Sequence, residues 1–203
     1  MKAGKKKKYP GDIPDSLPFY FRPLDVEKMG ISRDKIQKWL RQDWVERVTY
    51  GIYRIASAPI TEYETVAMVC ARVPDAVICL LSALQIHDIG TQLPHQVWIA
   101  IDQKAMEPAL NDFPVRLVRF SGRMLTCGVE SFDMQGVKSK ITTPARTVVD
   151  CIRFRNKVGL DVAMEALKDA LRSKQTTVDQ ILQIAKDCRA QSVVRPYLEA
   201  LVS

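Results

Sequence analysis

The sequence predicts an α+β protein in which an N-terminal winged helix-turn-helix precedes a mixed α/β second domain ending in helices. Three observations carry that expectation. Residues 24–42 divide into a short helical piece, a glycine at Gly30 and an amphipathic stretch opened by Ser32. Residues 44–55 then form two β-rich runs around Thr49-Tyr50-Gly51, the signal of a hairpin. From Thr61 onward, helical periodicities alternate with short apolar runs such as VWIAI at 97–101, and everything after Thr143 reads as helix. The expected boundaries are a basic tail over 1–9, the winged helix-turn-helix over 10–59 and the α+β domain over 60–203.

Taken in order, the chain opens with Lys2, Lys5, Lys6, Lys7 and Lys8, a segment too polar to fold by itself. Pro10, Pro14 and Pro18 argue against a long first helix, since each removes a donor and restricts the residue before it. Phe19, Tyr20 and Phe21 are positioned to supply the core surface that such a helix would have given. Pro23 suits the first position of a helix over 24–29, and Gly30 can take the positive φ that a tight helix–helix turn needs. Ser32 is an N-cap. The helix it opens puts Ile36, Trp39 and Leu40 on one face and Asp34, Gln37, Lys38 and Arg41 on the other, with Arg33 and Lys35 on the flanks. Ser57-Ala58-Pro59 reads as a linker.

In the second part, Thr61-Glu62-Tyr63-Glu64 matches a capping box for a helix to about Arg72, which Pro74 stops. Residues 77–89 are apolar enough to be a buried strand followed by a helix. Strands are expected over 97–101, 115–120, 129–134 and 137–141, the last two joined at Gly136. Thr143-Pro144 has the N-cap/N1 arrangement of a helix to about Phe154. Helices over 159–173, 177–189 and 192–201 finish the chain.

Charge narrows the function classes. Residues 1–59 hold 13 basic against 7 acidic side chains, a net +6, whereas residues 60–203 hold 17 against 16. A basic excess confined to the helix-turn-helix quarter points to an anionic partner there, double-stranded DNA above all. Residues early in the second helix reach base edges in such domains, and flanking cations find phosphates. The expected DNA-binding residues are therefore Ser32, Arg33, Lys35, Gln37, Lys38 and Arg41 on the helix, with Arg47, Tyr50 and Arg54 in the hairpin. Arg33, Gln37 and Lys38 should matter most for specificity, and Arg47 and Arg54 for the backbone. Arg116, Arg119, Arg123, Lys138 and Lys140 form a candidate second basic surface, the alternative being protection of sheet edges by charge.

No run approaches the roughly 18 apolar residues of a membrane span, and the lysine-rich start lacks the apolar region of a secretory signal. Five widely spaced cysteines without a CxxC favour reduced thiols in a cytoplasmic protein. No metal, cofactor or catalytic residue is expected. Ser82 and His87 lack the G-x-S-x-G elbow and read as ordinary helix residues. Pro74-Asp75 and Asp102-Gln103-Lys104 spell a PD…DxK pattern, so a nuclease tethered to the winged helix is one alternative function. A ligand-responsive transcription regulator is another.

The motifs Gly30-Ile31-Ser32, Trp44-Val45-Glu46-Arg47 and Gly51-Ile52-Tyr53-Arg54 resemble the N-terminal domain of the AbiEi antitoxin family of type IV toxin–antitoxin systems. Ser82-Ala83-Leu84, the VWIAI strand and Thr143-Pro144-Ala145-Arg146-Thr147-Val148-Val149-Asp150 are similar to its second domain, so that the likeness covers about residues 24–155 well. The resemblance implies a DNA-binding antitoxin, active in phage defence, that represses its own operon at inverted repeats; occupancy of such repeats leaves self-association on DNA open. It implies a nucleotidyltransferase-type toxin as functional partner, counteracted without a stable complex. Arg146 and Asp150 are i, i+4 neighbours able to pair, a contact worth only about a few tenths of a kcal/mol if exposed; the structural alternative is that the motif holds a helix against the sheet and does no chemistry.

Overall fold

The computed structural model describes residues 12–202, so the lysine tail lies outside the described residues. The architecture is mixed α and β with two sheets, as the composition of periodicities indicated. The chain divides into two compact units: one runs up to Pro74 and includes Asp133–Lys138, and the other comprises Asp75–Phe132 and the residues from Ser139 on. The boundary thus falls after Pro74 instead of at residue 59, and Ala58 of the expected linker is buried.

The first unit begins with β1 (Tyr20–Phe21), α1 (Pro23–Lys28) and α2 (Arg33–Arg41). Pro23 occupies the first turn of α1. The chain then reverses at Gly30, whose φ of 83° only glycine adopts freely, while Gly30 N and Ile31 N donate to Glu27 O and Val26 O. Ser32 caps α2 as expected, its Oγ accepting from Lys35 N at 3.3 Å. Ile36 and Trp39 are fully inward and Leu40 is half-buried. Next come β2 (Val45–Thr49) and β3 (Ile52–Ile55), an antiparallel pair with Val45 opposite Ile55. Strand β3 is central because β1 pairs with its other edge, Tyr20 opposite Arg54. The aromatic run thus does two jobs: Phe19, Tyr20 and Phe21 are all buried, and two of them form a strand that periodicity could not show in so short a segment.

Helix α3 (Glu64–Arg72) follows, but without the expected capping box. Thr61 Oγ1 accepts from Tyr63 N, and the Glu64 carboxylate is drawn elsewhere, accepting from Tyr20 Oη at 2.8 Å and Arg54 Nη1 at 3.4 Å. A charge-assisted bond to a half-buried arginine outcompetes a solvent-exposed cap.

The second unit holds most of a five-stranded sheet of order β6-β5-β4-β8-β7, whose residues 133–138 fall in the first unit. Its strands are β4 (Val77–Ile78), β5 (Val97–Asp102), β6 (Val115–Phe120), β7 (Val129–Met134) and β8 (Val137–Thr142). Strand β4 runs antiparallel to β5 and parallel to β8, with Val77 beside both Ala100 and Lys140; β5 and β6 are parallel. Gln135 and Gly136, both with positive φ, make the expected tight turn between β7 and β8.

Around this sheet lie α4 (Leu80–Ile86), α5 (Pro144–Arg153), a short α6 (Arg155–Val158) that the periodicity did not reveal, α7 (Leu160–Arg172), α8 (Val178–Asp187) and α9 (Gln191–Val202). Helix α5 is central to the layer. It contacts α4, α7, α8 and α9, and every residue from Ala145 to Ile152 is buried. Thr143 caps it by accepting from Arg146 N, with Pro144 at the first position. Arg146 and Asp150 do pair, but not as an exposed pair. Both side chains are wholly buried, Arg146 Nε donating to Asp150 Oδ2 at 2.8 Å. The guanidinium also donates to Met124 O and Cys127 O and lies 5.1 Å from the Phe120 ring centre. A helix packed on all sides has no solvent face, and the i, i+4 rule says nothing about depth.

Candidate nucleic-acid interface

Capping, burial and a turn fix the orientation of α2, and through it the exposed set. Because Ile36 and Trp39 are held inward, Arg33, Asp34, Gln37, Lys38 and Arg41 are turned to solvent, with Lys35 half-exposed over the Trp39 ring at 5.7 Å. Arg33 and Lys38 keep 74% and 54% of their side chains exposed even though each is paired. Arg33 is bound to Glu27 of α1. Lys38 Nζ donates to Asp12 Oδ2 at 2.9 Å, and Lys35 Nζ lies 3.6 Å from the other oxygen. The hydrogen bond from Lys38, then the charge of Lys35, hold the Asp12 carboxyl below its ordinary range. Asp34, in the first turn, faces solvent where the helix dipole tolerates an acid.

The β2–β3 hairpin carries the other expected residues. Tyr50 at its tip is 71% exposed. Arg47 stacks 5.2 Å from the Tyr50 ring centre and donates to Thr49 O, at a register shift in β2 between Arg47 and Thr49. Arg54 differs from expectation. Only 12% of its side chain is exposed, and it is clamped between Glu46 at 2.6 Å and Glu64 at 3.4 Å. It lies across from Tyr20 on one side and Glu46 on the other, so its guanidinium is largely engaged within the unit. Burial and the carboxylate of Glu64 push the Tyr20 hydroxyl up to about 12, so it remains a donor.

Several contributors escaped the sequence reading. A hollow of about 430 Å³ is lined by Arg22, Arg33, Gln37, Tyr53 and Arg72 among others. Arg72 Nη1 donates to Tyr50 O and Arg22 Nη1 to Arg72 O, so the end of α3 braces the hairpin tip. Asp12 was missed too. Only the pairing of distant segments reveals these residues, and no local pattern signals it.

The candidate second basic surface does not form one patch. Arg116 and Arg119 are three residues apart on β6 and so point to opposite faces. Arg116 lies 5.5 Å from the Trp98 ring centre, whereas Arg119 Nη1 folds onto the turn after β5, donating to Ala105 O at 2.6 Å. Lys138 and Lys140 lie on β8, separated from β6 by β5 and β4, and Lys140 pairs with Asp75 at 3.7 Å. Arg123 sits apart, in the 3-10 turn Gly122–Leu125.

The residues weighed for chemistry have structural partners. Ser82 is buried and its Oγ accepts from Trp98 N at 2.8 Å, while His87 Nε2 meets Thr142 O at 2.7 Å. Asp102 Oδ1 accepts from Lys104 N within its own turn. Among the described residues, no three His, Cys, Asp or Glu side chains are grouped as a metal site would need. Four cysteines are buried and Cys127 is half-buried. No helix among the described residues is long and apolar enough to cross a membrane. No protein-family model matches the chain, and no curated protein matches it.

Proposed function

We propose that the first unit is a winged helix-turn-helix with α2 as recognition helix and the β2–β3 hairpin as wing, and that the chain is a DNA-binding antitoxin and autorepressor. One observation carries the DNA reading: Arg33, Gln37, Lys38 and Arg41 share the solvent face of a capped helix whose opposite face is locked in the core. A helix held by Ile36 and Trp39 presents its outer side chains at low entropic cost, as major-groove readout requires. In this reading Arg47 and Tyr50 of the hairpin contact adjacent phosphates. The antitoxin part rests on the resemblance carried by the motifs around Gly30, Trp44, Gly51 and Thr143. In this reading the chain occupies inverted repeats in its own operator, self-associates there, and counteracts a nucleotidyltransferase-type toxin in the cytoplasm without a lasting complex.

Replacing Lys38 and Arg41 together by Ala should abolish the operator shift in a gel assay at moderate salt, with the circular dichroism spectrum unchanged. Normal binding by that double variant would overturn the docking of α2. A nucleotidyltransferase reading frame in the same operon, whose product this chain neutralises in co-expressing cells, is the expected outcome for the antitoxin part; absence of such a frame would overturn it.

A further inference from the structure

Three arginines from distant stretches of the second unit converge on one cavity of about 330 Å³. Arg123 comes from the turn after β6, Arg153 from the end of α5 and Arg189 from just beyond α8; Ser121, Met124 and Asp187 complete the lining that matters. The lining holds one carboxylate, Asp187. Asp187 Oδ2 accepts from Gln183 Nε2 at 2.9 Å, one turn back along α8, and among the described residues no ion pair joins it to any of the three guanidinium groups. Arg153 is anchored, Nη1 donating to Cys188 O at 2.8 Å. Arg123 and Arg189 are exposed and their guanidinium groups have no protein partner among the described residues.

The backbone adds a second observation. Arg189 has φ of 54° at the position that ends α8, where Ala190 N closes the turn onto Ala185 O. Glycine is the usual residue there, because a Cβ is strained in that conformation. Asp43, Asp88 and Lys174 take the same conformation at other helix ends, so what sets Arg189 apart is its place in the lining of a hollow that holds two other arginines. The cavity wall is also stiff: the buried Arg146 fixes Met124 from behind by donating to its carbonyl oxygen.

We propose that this cavity binds a small phosphate-bearing anion, either inorganic or a phosphate monoester. Three guanidinium groups against one carboxylate leave a surplus of two positive charges, matched to a dianion. Their planar forks suit paired phosphate oxygens, the Ser121 hydroxyl supplies another donor, and the volume lies at the small end of ligand cavities. The site is remote in sequence from α2 and does not depend on the DNA-binding reading.

The test is isothermal titration of the full chain with inorganic phosphate, pyrophosphate, adenosine monophosphate and adenosine. Binding of one or more of the three phosphate compounds but not of adenosine is expected. R123Q and R189Q, which remove exposed groups, should each weaken it at least tenfold, while R195Q, on α9 outside the cavity, leaves it unchanged. Preference for the monophosphate would identify an ester as ligand, and preference for pyrophosphate an inorganic anion; either agrees with the proposal. No binding by any probe would overturn it, as would equal binding by R123Q, R189Q and the parent. Loss of affinity for an unrelated DNA duplex in R123Q and R189Q, with no small-anion binding, would also overturn it and make the cavity a nucleic-acid contact. R189K, which keeps the charge but loses the planar fork, should bind more weakly than the parent and more tightly than R189Q, and it guards against a folding defect in R189Q.

Discussion

Asp12 shows how one residue tunes the candidate interface. Its carboxylate lies on Lys38 and Lys35, the cations that the DNA reading assigns to the groove and its phosphates. In that reading DNA displaces it, and exposed pairs of this kind are weak and screened by salt. Asp12→Asn should therefore tighten operator binding by roughly two- to fivefold at low salt, with the gain shrinking as salt rises; a fluorescence anisotropy titration at two salt concentrations checks it. Unchanged or weaker binding would mean that Asp12 holds the lysines in place for DNA.

Asp150 makes a pH-dependent contribution at the same scale. Burial pushes its carboxyl up to about 6 from 3.8, and Arg146 only partly offsets this because its charge is shared with two backbone carbonyls. Between those values the folded protein keeps a proton that the unfolded chain has released. The contribution is thus fully present below about 3.8 and is lost as pH rises through about 6. Relative to Asp150→Asn, the parent should lose stability over that window, by at most about 3 kcal/mol at roughly 1.4 kcal/mol per pH unit. Urea melts of both proteins at pH 4 and pH 7 measure the difference, and a gap that widens in favour of the parent at pH 7 would refute the sign.

At the scale of elements, the turn into β7 and helix α5 depend on each other. Gly128 has φ of 59°, and a Cβ there would lie 2.8 Å from Arg146 Cβ and 3.0 Å from Ile184 Cδ1. Its carbonyl oxygen accepts from Thr143 N at the start of α5. Gly128→Ala combines left-handed strain with a collision against the buried arginine, so a loss of about 2–4 kcal/mol is expected. A chemical melt showing less than about 1 kcal/mol would mean that the turn is free to move off α5. The same close approach explains why Arg146 can lie so deep: the glycine lets two carbonyls reach its guanidinium.

At the scale of the molecule, charge is divided unequally: the first 59 residues carry +6 and the remaining 144 carry +1. Five of those charges are Lys2 and Lys5 to Lys8, outside the described residues. If they touch phosphates, deleting residues 1–8 should reduce the slope of log K against log salt by up to about 0.9 per contact. Specific and non-specific duplexes should weaken alike. An unaltered slope measured by filter binding or anisotropy would leave the lysines as a solubility device.

What the sequence by itself determined is what local chemistry encodes. Ser32 and Thr143-Pro144 set helix starts, Gly30, Gly51 and Gly136 set turns, and the spacing of Ile36 and Trp39 decided which face of α2 meets solvent. Each depends on residues within a few positions of one another, so nearly every helix and strand was legible, as were the exposed cations of α2. Tertiary structure alone decided the rest. Tyr20 and Phe21 became a strand only because β3 offered an edge, and Arg54 was withdrawn because Glu46 and Glu64 met it there. The paired basic residues of β6 and β8 separated because strand order places two strands between them. Arg146 and Asp150 went into the core, and Arg123, Arg153 and Arg189 met around a cavity, because segments far apart in sequence pack together. Such meetings cost loop-closure entropy that global packing offsets, and no local window of residues contains that information.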